Sequence, residues 1–153
     1  MMKFNIVLVY PQIPQNTGNI ARLCAVTNSK LHLVEPMGFH ITDKLLKRAG
    51  LDYWDFLDIE RHSSLKTFFE KYSNKRMIFL SSKVKKIYYN YKFQNGDFLI
   101  FGSETSGLPQ EVHEKYSENF YTIPQFNENV RCLNLSNSVS IVLYEAIRQV
   151  MYN

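Results

Sequence analysis

Two cysteines are all that this sequence holds, Cys24 and Cys132, and they stand far apart with no second sulfur at metal-ligand spacing. That excludes a disulfide framework and a thiolate zinc cluster, and both thiols are expected to be free in a reducing compartment. Four histidines, His32, His40, His62 and His113, make no pair at ligand spacing either, so no metal is expected. No apolar run approaches the roughly 18 residues that cross a bilayer; even residues 98–101 are halted at Gly102. The opening Met-Met-Lys-Phe-Asn-Ile leads to no long apolar stretch and small-residue cleavage site, which points to the cytoplasm and away from secretion or a membrane. Glycine and proline are scarce, at 6 and 5 residues, which leaves no room for low-complexity or collagen-like structure. Missing too are Gly-x-Gly-x-x-Gly and the Gly-Lys-Ser/Thr ending of a phosphate-binding loop, so nucleotide chemistry through those motifs is excluded.

What is present has the make-up of an ordered globular protein, with 45% hydrophobic and 21% charged residues. A chain of 153 residues buries about two-thirds of its unfolded surface in one core, so a single domain over 1–153 is expected. Lys and Arg number 18 against 14 acidic residues, a net charge of +4, with a pI near 9.0. The resulting positive field favours polyanionic partners without naming one.

Residues 5–9 are apolar and β-branched and run into the breaker-rich stretch 11–18, which predicts a buried strand entering a long loop. A helix is then expected over 18–26, with Ile20, Leu23 and Cys24 on one face and Asn16 or Thr17 as its cap. Further strands are predicted at 31–34, 76–80, 97–101 and 119–123. Helices are predicted at 43–48, from a cap at Ser63 or Ser64 to Lys71, and at 109–115. Val139, Val142, Leu143, Ala146, Ile147 and Val150 repeat every three or four residues behind Ser136, a candidate cap for a final amphipathic helix. Strands separated by helices describe an α/β fold, a mainly parallel sheet with helices on both faces. Ligands of such sheets bind at the carboxyl ends of the strands.

Three loops at strand ends carry the candidate chemistry. In Pro14-Gln15-Asn16-Thr17-Gly18-Asn19-Ile20-Ala21-Arg22 a flexible turn leads into a helix with a guanidinium one turn inside, a natural phosphate site or else a plain capped helix. Gly102-Ser103-Glu104-Thr105-Ser106-Gly107-Leu108-Pro109 offers glycines that let backbone approach a ligand, or simply a tight strand-to-helix turn. Glu104 there is a charge at the end of an apolar strand and needs a partner. The third loop, 124–136, ends in Arg131-Cys132-Leu133-Asn134-Leu135-Ser136 and can present backbone groups to a purine ring or merely cap a helix. Lys83, Lys85 and Lys86 interleave with Tyr88, Tyr89 and Tyr91, joining phosphate-binding charge to rings on which bases stack, unless the stretch is only a solvated loop. Lys44, Lys47 and Arg48 make a similar basic helix face.

Taken together, Pro14-x-Asn16-Thr17-Gly18-Asn19-x-x-Arg22, Gly102-x-Glu104-x-x-Gly107-Leu108-Pro109 and Asn134-Leu135-Ser136-Asn137-Ser138-Val139-Ser140 resemble the three ordered motifs of the SPOUT methyltransferases. Glu35-Pro36-Met37-Gly38-Phe39 and Arg48-Ala49-Gly50-Leu51-Asp52-Tyr53 resemble the small branch that methylates the wobble ribose of tRNA at cytidine or uridine. The similarity spans almost the whole chain. It implies an α/β fold whose C-terminal segment is threaded into a deep trefoil knot, S-adenosyl-L-methionine as cofactor, tRNA as substrate, and a homodimer with its site near the subunit interface. Carried over motif by motif, it implies that Leu80, Gly102, Ile123, Cys132 and Leu135 surround the cofactor. Asn16, Arg22, Glu104 and Asn134 would form the polar catalytic centre, with Arg48, Lys83 and Tyr144 on the substrate side.

A guanidinium stays protonated at ordinary pH, so Arg22 is expected to grip phosphate and stabilise charge developing on the 2'-oxygen while a phosphate oxygen or water takes the proton. Cys132 replaces a serine of many relatives and is the weaker hydrogen-bonding group; its contact with cofactor would be through the backbone. Two other readings accompany the wobble methyltransferase: action on a different tRNA or rRNA position, since the motifs describe cofactor chemistry better than target choice, and a knotted RNA-binding protein without catalysis.

Overall fold

Alternation along the first strand decides how the layers form. In the computed structural model, which describes residues 1–41, 44, 55–130 and 132–152, β1 (Asn5–Val9) is buried on both sides. Ile6 and Leu8 pack into one apolar cluster with Ile20, Cys24, Val142 and Leu143. Val7 and Val9 pack into another with Phe68, Val112 and Phe120. Successive side chains of a strand point to opposite faces, so these are the two faces of one sheet. α1 (Pro14–Thr27) and α4 (Leu135–Tyr152) cover the first; α2 (Leu65–Lys71) and α3 (Gln110–Lys115) cover the second.

The other strands are β2 (Lys30–Val34), β3 (Asp58–His62), β4 (Met77–Leu80), β5 (Phe98–Phe101) and β6 (Phe120–Tyr121). They run in the order β3-β2-β1-β5-β4-β6 and every pairing is parallel. The chain leaves β1 toward β2 but leaves β5 toward β6, so neighbouring strands send their connections in opposite directions. A crevice opens at the carboxyl end of such a reversal. The α/β, parallel, two-faced architecture is the one the alternation of elements implies.

The helix expected from Gly18 begins four residues earlier, at Pro14. Proline fits a first helical position because it lacks an amide that would go unpaired and its φ is preset. Asn16 and Thr17 are therefore not caps; both are buried inside the first turn, and the N-cap position falls on Ile13, which has no capping side chain. Ser64 does cap α2, accepting the Thr67 N–H at 3.1 Å. α4 begins at Leu135, ahead of the expected Ser136 cap, and Asn134 Oδ1 accepts the Ser136 N–H at 2.8 Å instead. The expected helix 43–48 lies outside the described residues except for Lys44.

β3 was not legible as a strand. Its sequence Asp-Ile-Glu-Arg-His is polar because it forms the sheet edge, where Lys30 pairs with Glu60 at 2.9 Å and Arg61 with Glu35 at 2.9 Å. Its arrival corrects the reading of the histidines: strand pairing brings His32 and His62 together, with Nδ1 to Nε2 at 3.0 Å. His32 Nε2 sits 3.0 Å from Asn5 Oδ1, while Asn5 Nδ2 donates to Gly96 O. His32 therefore donates through Nε2 and accepts from the His62 Nε2–H, which fixes both tautomers. Donor atoms of His32, Glu60 and His62 lie within 4.8 Å of one another. The rings, however, meet head-on, with centroids 5.2 Å apart and planes at 16°. Glu60 also accepts from Lys71 at 2.6 Å and Tyr72 at 2.7 Å. The cluster is thus closed by hydrogen bonds.

Burial holds the pKa of both imidazoles below the ordinary 6.5, for His32 with help from the neighbouring His62 and Lys30. The unfolded chain binds these protons more readily, so stability is full above about pH 6.5 and falls as the pH drops, by up to about 1.4 kcal/mol per pH unit for each ring. Urea-unfolding midpoints measured from pH 7.5 to 5 should decline accordingly, and His32→Leu should flatten the decline.

Candidate active site

The chain leaves β1 through Tyr10, whose φ of 58° is costly for a bulky residue and redirects the backbone toward the β5 loop. There the Glu104 carboxylate accepts the Gln12 N–H at 2.9 Å through Oε1, and the Ile13 N–H at 3.0 Å and Asn16 Nδ2 at 3.2 Å through Oε2. A remote acid thus does what a capping side chain does elsewhere, placing negative charge at the amino end of α1. The bonds continue. Asn134 Nδ2 donates to Asn16 Oδ1 at 3.1 Å, and Asn134 Oδ1 accepts from the Ser136 amide and, at 2.6 Å, the Ser136 hydroxyl. Each amide is oriented by its partner: Asn16 turns its NH2 to the carboxylate, which leaves its oxygen for Asn134. Residues 92 and 118 positions apart are joined in one line.

Around this line lies a cavity of about 660 Å³. Leu80 at the end of β4, Gly102 directly after β5, Ile123 after β6, and Cys132 and Leu135 at the entry to α4 form its wall, with Asn16, Glu104, Asn134 and Lys83. The structure therefore brings the five expected cofactor residues together with three of the four polar-centre residues. Gly102 has to be glycine: a Cβ there would run into the backbone at Gly107 and Leu108. The turn is closed by Ser103 and Gly107, which exchange backbone bonds at 3.3 and 3.0 Å, with Gly107 at φ 69°. Lys83 reaches across the mouth to donate to the Ser106 carbonyl at 3.3 Å. Cys132 is exposed and Cys24 buried, both unpaired thiols; burial pushes Cys24 well above the usual range.

Arg22 does not line this cavity. It lies six residues past Asn16 on α1, on an exposed side of the helix. Tyr144 is on α4 and 51% exposed, also away from the wall. Arg48 lies outside the described residues. The basic, tyrosine-rich stretch is largely committed to the fold: Tyr88 is buried, Tyr91 accepts from Arg76, and Lys86 bonds the Glu118 carbonyl and sits over the Tyr121 ring. Only Tyr89 of its three rings is open to solvent. Ser81, Ser82 and Thr122 line the cavity and were not singled out in the sequence, whereas Gln125 fell within the third loop and Ser138 within the third motif without a role. The signal of the first three is positional, since they lie within two residues of the end of β4 or β6.

Replacing Glu104 with Gln turns an NH2 toward converging N–H donors, which costs about 1–3 kcal/mol. Thermal unfolding of Glu104→Gln should show a midpoint lower by several degrees, while Thr105→Ala, one exposed residue further on, should leave it nearly unchanged.

Comparison with known proteins adds to this geometry. The SpoU rRNA Methylase family matches residues 3–144. The chain is 46% identical over 149 residues to the tRNA (cytidine(34)-2'-O)-methyltransferase of Escherichia coli K12, covering 97% of this chain and 94% of that one. It is 45% identical to the enzyme of the same name from Saccharophagus degradans, covering 96% of each. A solved structure described as "Structural insights into the 2-OH methylation of C/U34 on tRNA" superposes with a TM-score of 0.94 at 39% identity, covering 99% of each chain. A SpoU methyltransferase from Streptomyces viridochromogenes in complex with AdoMet shares the fold at a TM-score of 0.86 and 19% identity, covering all of this chain and 60% of that one.

Proposed function

The chain belongs to the SpoU rRNA Methylase family, and on that footing we propose that it transfers a methyl group from S-adenosylmethionine to the ribose 2'-oxygen of the wobble nucleotide, cytidine or uridine, of tRNA. The observation that carries this reading is the convergence of Leu80, Gly102, Ile123, Cys132 and Leu135 on one cavity beside the Glu104–Asn16–Asn134 line. The cavity fits the cofactor: about 660 Å³ suits a nucleoside-sized ligand, the walls at Leu80, Ile123 and Leu135 are apolar, and the missing Cβ of Gly102 lets backbone groups approach. The cofactor supplies a methyl group already electrophilic on a cationic sulfur, so the protein's share is orientation and exclusion of water.

Glu104, Asn16 and Asn134 hold that geometry. Their hydrogen-bonding atoms are largely spent on one another and on backbone, so their part is to fix the start of α1 against the loop entering α4. Cys132 contributes main chain. Arg22 meets the substrate phosphate and the developing charge on the 2'-oxygen. Because it lies on an exposed side of α1 and not in its own cavity wall, it serves the cavity of a second copy in a homodimer. Support for that pairing comes from Val26 on α1 and Ile141 and Met151 on α4, all apolar and exposed on helices that pack side by side. Arg48, Lys83 and Tyr144 complete the tRNA side. Residues 1–153 act as one domain, with the C-terminal segment threaded into a deep trefoil knot, a reading supported by the match to the SpoU family over residues 3–144. The reaction takes place in the cytoplasm, where its tRNA substrate is.

Purified protein incubated with labelled S-adenosylmethionine and tRNA should place label on the 2'-oxygen of nucleotide 34, mapped by nuclease digestion; folded protein giving no transfer to any tRNA overturns the proposal. Arg22→Ala should keep cofactor affinity and lose at least about a hundredfold in kcat, the scale of one lost charge-stabilising contact. Mixing it with inactive Gly102→Ala should restore turnover in hybrid dimers, where one site is whole.

A further inference from the structure

Next to the main cavity is a second hollow of about 280 Å³, lined by Pro124, Gln125, Phe126, Asn127, Val130 and Leu133. Gln125 and Leu133 belong to both, so the two spaces share a wall. None of these six described residues is charged, and a lining of Pro, Phe, Val and Leu with two primary amides fits a planar ring with polar edges. Phe126 is 93% exposed and Val130 63%; neither is buried in the core, and together they leave an apolar patch open beside the site.

We propose that this hollow receives the pyrimidine base of the nucleotide whose ribose is methylated, stacked on Phe126 with its edge against the Gln125 amide. The inference rests on the methyl-transfer reading of the adjoining cavity. Covalent geometry requires the adjacency: the base is attached to C1', one carbon from the 2'-oxygen, so a base site must open directly off the space where that oxygen meets the methyl donor. An exposed aromatic ring is the group that holds an unpaired base. The Asn127 Oδ1 accepts the Asn129 N–H at 2.9 Å, which commits its acceptor, whereas Gln125 lies on the wall that the two spaces share and is placed to be the reader. A primary amide carries one donor and one acceptor side by side. Turned one way it meets N3 and N4 of cytosine, and turned over it meets N3 and O4 of uracil. A single side chain thus accepts both pyrimidines.

Anticodon stem-loop RNAs carrying cytidine, uridine or an abasic ribonucleotide at position 34, the last retaining its 2'-hydroxyl, separate the possibilities. Wild-type protein should methylate the first two; methylating neither overturns the parent reading and this one with it. Given that activity, Phe126→Ala should lower kcat/KM on cytidine and uridine substrates by roughly tenfold, the order of an aromatic–base stack, and Phe126→Trp should recover it. On the abasic substrate Phe126→Ala and wild type should be equal, because the interaction lost by mutation is already absent. Gln125→Leu should follow the same pattern. An undiminished loss on the abasic RNA, a weakened S-adenosylmethionine Kd in Phe126→Ala, or a changed sedimentation coefficient showing that a second copy fills the hollow would each overturn the subsite.

Discussion

The carboxylate of Glu104 is the point on which the site is hung. Two backbone amides before α1 and the side chain of Asn16 converge on it, and through Asn16 it fixes Asn134 and the entry to α4. Hydrogen bonds to an ionised acceptor are stronger than neutral ones, and a partly buried group left without them carries a desolvation penalty. The α1 terminus, the β5 loop and the α4 entry therefore settle together or not at all. This accounts for the absence of a capping side chain at Ile13: the cap comes from 91 residues away.

The sheet provides the rigid base for that arrangement. Four residues of β1 and all of β4 and β5 are buried, so the loops at their carboxyl ends start from fixed positions. The cavity sits where the connections of β1 and β5 part company. Polar and charged side chains gather there, while the buried histidine pair at the other side of the sheet is closed off by hydrogen bonds and takes a structural part.

Much of this was legible in the residues. Apolar runs gave the central strands because both faces of a parallel sheet are covered, and the three motifs gave the cavity wall from Gly102 to Leu135. Asn16 and Thr17 were misjudged as caps because capping was sought within the local sequence, whereas the acid that satisfies α1 comes from another strand. β3 was invisible for a related reason: an edge strand carries polar residues whose pairing depends on neighbours far along the chain, as His32 and His62 illustrate. The resemblance grouped Arg22 with Asn16, and on α1 the two face different sides; a motif preserves order along the chain without saying which way each member faces. The tyrosine-rich stretch misled in the opposite sense, since Tyr88 and Tyr91 went to the fold.

The cavity wall draws on residues from Ile13 to Ser138, and its last parts lie at the entry and in the first turn of an 18-residue helix. During synthesis, a ribosome that has delivered the first five strands has delivered no pocket. Ligand affinity arrives only once the stretch up to Ser138 has emerged and seated itself beside the residues that follow β1, so the donor site is among the last features of the fold to form.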